Sequence, residues 1–314
     1  MERIPIVIDC DPGVDDSFAI ALANAHPGFE LRALTAVEGN VPAAVTRRNL
    51  LCLADEFDLS CRVAFGAELP LKKPYTITAS QVHGVGGLGD IVFPEPRRRP
   101  DERPAWDVIY EEAVRAEGRL VLFATGPLTN IAQCLRVHPD LPRHLADFCI
   151  MGGGTFGNMG AAGQSAEFNI WVDPDAAEEV FEKLTVRMVG LNATHAAALR
   201  PEELDEMIAI CSRTERNWFL RRLTEFSKRN SQENGMDNHI IHDALAIAAV
   251  IDPGLITFRD CHVRVETDPA APNHAQTVID ETGEPKNAHV AMAVDQPGFF
   301  RLLTDMCRFY NGER

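Results

Sequence analysis

Asp9-Cys10-Asp11-Pro12-Gly13-Val14-Asp15-Asp16 is the stretch on which the reading of this chain turns. The apolar, β-branched run Ile4-Pro5-Ile6-Val7-Ile8 stands before it, and Ser17-Phe18-Ala19-Ile20-Ala21-Leu22-Ala23 follows it. An unbroken run of the first kind reads as a strand buried on both faces, and the later stretch reads as a helix. The acidic segment is therefore a strand-to-helix turn. In open α/β sheets, ligands bind outside the carboxyl ends of strands.

Asp9, Asp11, Asp15 and Asp16 crowd this one turn, and such crowding needs a physical cause. Helix capping is the plain one, since an Asp in a first turn gains about 0.3–1 kcal/mol from the helix dipole. Against it, two carboxylates about 4 Å apart at an effective dielectric of about 20 repel by roughly 4 kcal/mol. Repulsion outweighs capping unless positive charge is bound there. Pro12-Gly13 turns the chain sharply, which lets Asp11 and Asp16 converge on one point. With carboxylates as hard oxygen donors and no His or Cys beside them, the expected guest is a hard divalent cation.

At 314 residues, length alone suggests about two domains. Strand-like and helix-like segments nevertheless alternate without a Ser/Gly-rich linker, so the expectation is a single α/β domain over residues 1–314. Hydrophobic residues make up 46%, enough for a large core. The formal charge of −16 argues against nucleic acid or an anionic membrane surface as partner. Eight scattered cysteines without a Cys-x-x-Cys pair suit reduced, buried thiols. Neither a signal peptide nor an apolar run long enough to span a bilayer is recognisable, and a cytoplasmic protein is expected.

Further along, residues 31–37 read as a second strand leading into Glu38-Gly39-Asn40, with a helix over 41–58. Asn40 is a natural N-cap for that helix, or a site residue at a strand's carboxyl end, or both. Residues 62–65 form a short strand. From there to a helix at 105–117 the chain lacks periodicity and contains His83-Gly84-Val85-Gly86-Gly87-Leu88-Gly89 and Arg97-Arg98-Arg99. Its glycines suggest a flap over the sheet edge. By itself His83 reads as an ordinary loop residue, and the Arg run as a solvated face. Residues 119–124 form a strand ending in Thr125-Gly126-Pro127-Leu128-Thr129-Asn130, where the Gly-Pro pair starts the next helix and leaves the Thr125 carbonyl without a ladder partner.

Residues 147–151 are another strand, ending at Met151 and followed by Gly152-Gly153-Gly154-Thr155-Phe156-Gly157. Those letters satisfy the dinucleotide fingerprint, but no helix follows at once, so a Rossmann cofactor site is discounted. Glu167-Phe168-Asn169 precedes Asp173-Pro174, the start of a helix over 175–183. A strand at 186–191 ends in Asn192-Ala193-Thr194-His195, with His195 read as structural. Helices at 201–212 and 213–229 follow, the second with an apolar stripe from Trp218 to Phe226 that reads as core. After a polar stretch, His242-Asp243 opens an apolar helix. Strands at 255–266, 276–280 and 287–294 and a helix at 297–310 close the chain.

Taken together, Asp-Cys-Asp-Pro-Gly-Val-Asp-Asp, Gly39-Asn40, His83-Gly84, Thr-Gly-x-Leu-Thr-Asn, Ala-Glu-Phe-Asn and His242-Asp243 resemble the inosine-uridine preferring nucleoside hydrolases over almost the whole length. The resemblance implies a Rossmann-like nucleoside hydrolase fold: a mostly parallel central sheet flanked by helices, with the active site at the strand carboxyl ends. It implies hydrolysis of the N-glycosidic bond of ribonucleosides to ribose and free base, and a homodimer or homotetramer.

For the site, the resemblance implies Ca²⁺ held by Asp11, Asp16, Asp243 and the Thr125 carbonyl. Asp11 would double as general base and His242 as the acid that protonates the leaving base. Asp15, Asn40, Glu167 and Asn169 would hold the ribose, with His83, Met151 and Phe168 around the base. Departures from the pattern stand at Ala161, where Asn is usual and Asn158 or Gln164 are candidate substitutes, at Asn192, where Asp is common, and at Ala244, where proline is common. Two other readings compete. One is a nucleoside-binding sensor without catalysis; the other is a haloacid-dehalogenase-like phosphatase using Asp9-Cys10-Asp11, against which Pro12 and the want of a suitable Lys both count.

Overall fold

From Pro5 onward, the strand Ile4–Cys10 (β1) is wholly buried, as its unbroken apolar sequence requires of a strand covered on both faces. Its side chains alternate, so that Ile6, Ile8 and Cys10 enter one hydrophobic core and Val7 enters another on the opposite face. The computed structural model of the chain describes all residues except 1, 73, 75–77, 161–165 and 314. β1 is followed by α1 (Val14–Ala25), β2 (Phe29–Ala36), α2 (Ala43–Glu56), β3 (Arg62–Phe65), the single turn α3 (Ser80–His83), α4 (Ala105–Arg115) and β4 (Leu120–Ala124). Next come α5 (Thr129–Val137), β5 (Leu145–Met151), α6 (Phe168–Val172), α7 (Pro174–Lys183), β6 (Val186–Val189) and α8 (Leu191–Ala196). The last third holds α9 (Pro201–Cys211), α10 (Trp218–Glu233), α11 (His242–Ile251), β7 (Ile256–Val265), β8 (Thr277–Asp280), β9 (Ala288–Val294) and α12 (Gln296–Tyr310).

The strands lie side by side in the order β3-β2-β1-β4-β5-β6-β9-β7-β8. From β3 to β9 every pairing is parallel, and β7 returns antiparallel to both β9 and β8. The chain thus winds outward from β1 in one direction, then restarts at β4 and winds outward in the other. Strand order reverses between β1 and β4, and a crevice opens beyond the carboxyl ends at such a point. Asp11 follows the end of β1 and Thr125 the end of β4.

α11 carries a His-Asp-Ala-Leu-Ala-Ile-Ala-Ala sequence with nearly every side chain buried, and it packs against the similarly small-residue α1 and against β5. Small side chains let the two helices approach closely. Their N-termini, bearing Asp15 and Asp16 on one and Asp243 on the other, are brought to the same place.

Several expectations are corrected. Asn40 does not cap α2; Pro42 occupies that position. The helix expected over 213–229 begins at Trp218, because a 3₁₀ turn at Glu215–Asn217 precedes it, and it runs on to Glu233. The strand expected to reach 191 ends at Val189, and Gly190 starts α8. Arg98 is no solvated charge. Its guanidinium donates to the Ala54 and Leu59 carbonyls at 2.8 and 2.7 Å and to Asp55 at 2.9 Å, tying the long loop to the end of α2. The glycine stretch is likewise anchored over the acidic turn: Asn49 Nδ2 donates to the carbonyls of Pro12 and Gly86 at 3.1 and 2.8 Å. No helix follows the Gly152–Gly157 letters directly, as expected of a false dinucleotide fingerprint. All eight cysteines are free thiols, and no helix among the described residues is long and apolar enough to cross a membrane.

Candidate active site

Asp11 is fully buried just beyond β1. Its Oδ2 accepts the Asn40 main-chain N–H at 2.6 Å, while Oδ1 has no partner. Asp16, three residues into α1, reaches back so that Oδ2 accepts the Gly13 N–H at 2.8 Å, and its Oδ1 accepts the Thr125 hydroxyl at 2.8 Å. Capping and site-building therefore coexist in one carboxylate. Asn40 braces this arrangement further, since its Nδ2 donates to the Asp11 carbonyl at 3.1 Å and to Asp16 Oδ2 at 3.3 Å. Asp9 is turned away: its Oδ1 accepts from Thr35 Oγ1 at 2.5 Å and Asn130 Nδ2 at 2.8 Å on the other side of the strand. A nucleophilic role for Asp9, as the phosphatase reading needs, has no support in that geometry.

Carboxylate oxygens of Asp15, Asp16 and Asp243 all lie within 4.8 Å of one another. Asp15 thus joins the acidic cluster, although sequence reasoning placed it with the sugar; the Asp11 carboxylate lies outside that tight group. Burial raises the Asp11 and Asp243 carboxyls well above the usual range, and neighbouring carboxylates raise them further: Asp16 in the first case, Asp15 and Asp16 in the second. Asp16 is raised by burial and then by Asp15. These acids resist ionisation where they stand because nothing positive balances them. A divalent cation fits: the donors are hard oxygens, and Asp11 Oδ1 and Asp15 Oδ1 are buried without hydrogen-bond partners.

The facing wall comes from the ends of β4 and β5 and from α6. The Asn169 side-chain amide donates to the carbonyls of Thr125 and Met151 at 2.9 and 3.0 Å, clamping the two strand ends together. The Thr125 carbonyl keeps one lone pair free. Glu167 is the N-cap of α6, with Oε1 accepting from Asn169 N at 2.9 Å and Oε2 from Gly153 and Ile170 N–H groups at 3.1 and 3.2 Å. The glycine loop that mimics a pyrophosphate cradle gives its amide to this carboxylate instead. Burial pushes Glu167 up to about 7.

Between the walls lies a cavity of about 390 Å³, lined by Asp15, Asn40 and Asp243 and by Thr125, Glu167 and Asn169 of the facing wall. That volume lies in the range of small-molecule sites. Met151 and Phe168 face the same space, as do His83 and His242. His83 Nδ1 accepts the Val14 N–H at 3.1 Å, which places the ring proton on Nε2. Nδ1 also lies 3.6 Å from Asp15 Oδ1, yet burial lowers the imidazole pKa, so the pair is not a salt bridge. His242 stands at the head of α11 with its pKa lowered by burial to about 4.

Sequence reasoning missed two further histidines on the cavity. His195, taken as structural, lines it edge-on to Phe156 at 5.1 Å between ring centroids. His239 is pinned at three points within an exposed polar stretch: its backbone exchanges hydrogen bonds with Leu199 at 2.7 and 2.8 Å, and Nδ1 meets Ser231 Oγ at 2.8 Å. Long-range pairing of this kind leaves no local signal. Phe226, expected in the core, also borders the cavity, whereas Phe219, Leu220 and Leu223 are buried as expected. Asn158 lines the cavity; Ala161 and Gln164 lie outside the described residues. Asn192 is not at the cavity but donates to the Ala291 carbonyl at 2.7 Å, bracing α8 against β9, and Ala244 is fully buried in α11.

Comparison with known proteins agrees with this architecture. Residues 6–301 match the sequence model of the family described as inosine-uridine preferring nucleoside hydrolase. The chain is 36% identical to the pyrimidine-specific ribonucleoside hydrolase RihA of Escherichia coli (strain SMS-3-5 / SECEC), covering 98% of this chain and 99% of that one. It is 37% identical to the non-specific ribonucleoside hydrolase RihC of Klebsiella pneumoniae (strain 342), covering 97% and 98%. Among solved structures, a purine-preferring ribonucleoside hydrolase from Gardnerella vaginalis superposes with a TM-score of 0.89 at 29% identity, over 98% of both chains.

Proposed function

Because this chain belongs to the inosine-uridine preferring nucleoside hydrolase family, whose members hydrolyse nucleosides to base and ribose, we propose that its cavity binds a ribonucleoside of the inosine or uridine type with the sugar against the acidic wall. The observation that carries the reading is the pair of unpartnered buried oxygens, Asp11 Oδ1 and Asp15 Oδ1, at a cavity that Asp243, Glu167 and several histidines also line. The whole chain, residues 1–314, works as one domain in this reading.

Asp11, Asp16, Asp243 and the Thr125 carbonyl would hold a divalent cation, calcium as the family resemblance implies, beside Asp15, which clusters with Asp16 and Asp243. When bound, the cation would anchor the sugar diol and make a water more acidic. Asp11 Oδ1, the one oxygen of that carboxylate with no partner, takes a proton from the attacking water as its oxygen bonds to C1′. Positive charge then spreads over C1′ and the ring oxygen, and the surrounding carboxylates favour it. Asp15, Asn40, Glu167 and Asn169 hold the hydroxyls. His242 gives a proton to the base as the C1′–N bond breaks, with His83, Met151 and Phe168 about the departing ring.

A reducing-sugar assay over inosine, adenosine, guanosine, uridine and cytidine, with and without chelator, tests the proposal. Ribose release that chelator abolishes is expected, and Asp11→Ala is expected to lower turnover by about 10²–10⁴-fold. Saturable nucleoside binding without ribose release would instead favour the sensor. Unchanged turnover in Asp11→Ala would refute the mechanism.

A further inference from the structure

His242 is held by a residue to which the reaction as described gives no part. Its Nδ1 lies 2.9 Å from Thr194 Oγ1, across forty-eight positions of sequence. Thr194 sits in α8, fully buried, and its hydroxyl donates to the Leu191 carbonyl at 3.2 Å within the same helix. A hydroxyl has one hydrogen to give and lone pairs to receive with. With that hydrogen given to Leu191, Thr194 is left to meet His242 as an acceptor. The hydrogen between them therefore belongs to Nδ1.

From this geometry we infer that Thr194 is the positioning residue for His242, fixing its tautomer and rotamer so that Nε2 is the nitrogen presented to the nucleobase. The inference rests on the nucleoside-hydrolase reading of the cavity. Nδ1 is bound away from the cavity that the ring lines, which leaves Nε2 for the ligand. To donate, the ring must first take up a second proton at Nε2 and become imidazolium; that proton passes from Nε2 to the leaving base, and Nδ1 keeps its own throughout. Without the hydroxyl, the ring loses the contact that sets its orientation, and either nitrogen can carry the hydrogen.

Thr194→Val keeps the shape and removes the acceptor, and Thr194→Ser restores it. Each variant and the wild type are to be assayed on inosine, uridine and p-nitrophenyl β-D-ribofuranoside, whose nitrophenolate leaves without being protonated. Thr194→Val is expected to lower kcat on the natural nucleosides by at least about tenfold, within the usual scale of general-acid catalysis. KM and nitrophenyl riboside cleavage should stay near wild type, and Thr194→Ser should recover the lost turnover. Wild-type kcat on the nucleosides, or a proportional fall on all three substrates, would overturn the assignment.

A second measurement does not depend on the variant folding. Imidazole ¹⁵N shifts of the wild-type protein, with His242 assigned by its loss in His242→Gln, should show the neutral ring protonated at Nδ1. A ring protonated at Nε2 overturns the inference. If the wild type releases ribose from no nucleoside, the hydrolase reading fails separately, while the ring's tautomer still decides the role of Thr194.

Discussion

Asn40 and Asp11, twenty-nine positions apart, are joined twice: the Asn40 main-chain amide donates to Asp11 Oδ2 at 2.6 Å, and its side-chain amide donates to the Asp11 carbonyl at 3.1 Å. The first bond fixes the carboxylate's rotation and leaves Oδ1 as its uncommitted oxygen. The second fixes the backbone that carries it. A residue in the loop after β2 thereby sets the aim of the residue that follows β1.

The neighbouring glycine makes that contact testable. A Cβ on Gly39 would lie 2.0 Å from Asp11 Oδ2, and one on Gly126 would lie 2.8 Å from Oδ1. Gly39→Ala must therefore turn or displace the Asp11 carboxylate. Turnover is expected to fall by at least about 10²-fold, the lower end for loss of a general base, with far-UV circular dichroism unchanged. Steady-state kinetics on inosine and uridine checks this, and wild-type kcat would show that the aim of Asp11 is unimportant.

Stability should depend on pH in a direction opposite to that of most salt-bridged proteins. Burial raises Asp9 and Glu167 from ordinary values of 3.8 and 4.5 to about 7, and lifts Asp11 and Asp243 as well. These carboxyls hold protons that the unfolded chain has released, so their contribution to stability is fully present below the ordinary values and is lost as pH rises through about 7. Between about 4 and 6.5 the buried His239 and His242, both lowered to about 4 from 6.5, act in the opposite sense. Calorimetry in chelator should therefore show Tm decreasing as pH rises from about 6.5 through 7. With calcium present that fall should flatten or reverse, because bound cation takes the place of the protons. A Tm that rises over the same interval in chelator would contradict the account.

Glu167 links folding to the site, because the carboxylate that would meet the sugar also caps α6. Glu167→Gln puts an amide donor where Gly153 and Ile170 both donate to Oε2, or gives up the bond from Asn169 N. Loss of a cap costs about 1 kcal/mol. The variant is expected to unfold at lower temperature and to show a raised KM, measured by thermal melts and the ribose assay. Unaltered values in both would remove Glu167 from the site.

His239 offers a handle on base selectivity. It faces the cavity from a stretch held by Leu199 and Ser231, on the same side of the site as His242. His239→Phe keeps a flat ring but removes both ring nitrogens, so the ratio of kcat/KM for inosine to that for uridine should shift while nitrophenyl riboside cleavage persists. An unchanged ratio would mean that His239 does not touch the base.

The strand-to-helix turns after β1 and β4 were legible because their signals are local: the run ending at Ile8, the Pro12-Gly13 turn, and the Gly126-Pro127 break; the strand order that makes them neighbours was not. Asp11 and Asp16 could be nominated from the crowding of carboxylates at a strand-to-helix turn, whereas Thr125 and Asp243 were placed with them by the family resemblance. Other features depend on pairings between distant positions. The Asn40 side chain could be read as a cap or as a site residue until its partners on Asp11 and Asp16 were seen, and Arg98 looked solvated until its bonds to Ala54 and Leu59 were seen. α6 is only Phe168–Val172, too short for periodicity to register, and exists because Glu167 caps it. His239 belongs to the cavity by virtue of a bridge to Leu199 that no window of sequence contains.

The acidic cluster draws Asp15 and Asp16 from α1 and Asp243 from α11. During synthesis the first strands can emerge and pair long before α11 leaves the ribosome, but a nascent chain lacking that helix also lacks the ring that would meet the leaving base. A chain cut short before α11 therefore lacks one of the three clustered carboxylates and the His242 ring, however completely its earlier strands have paired.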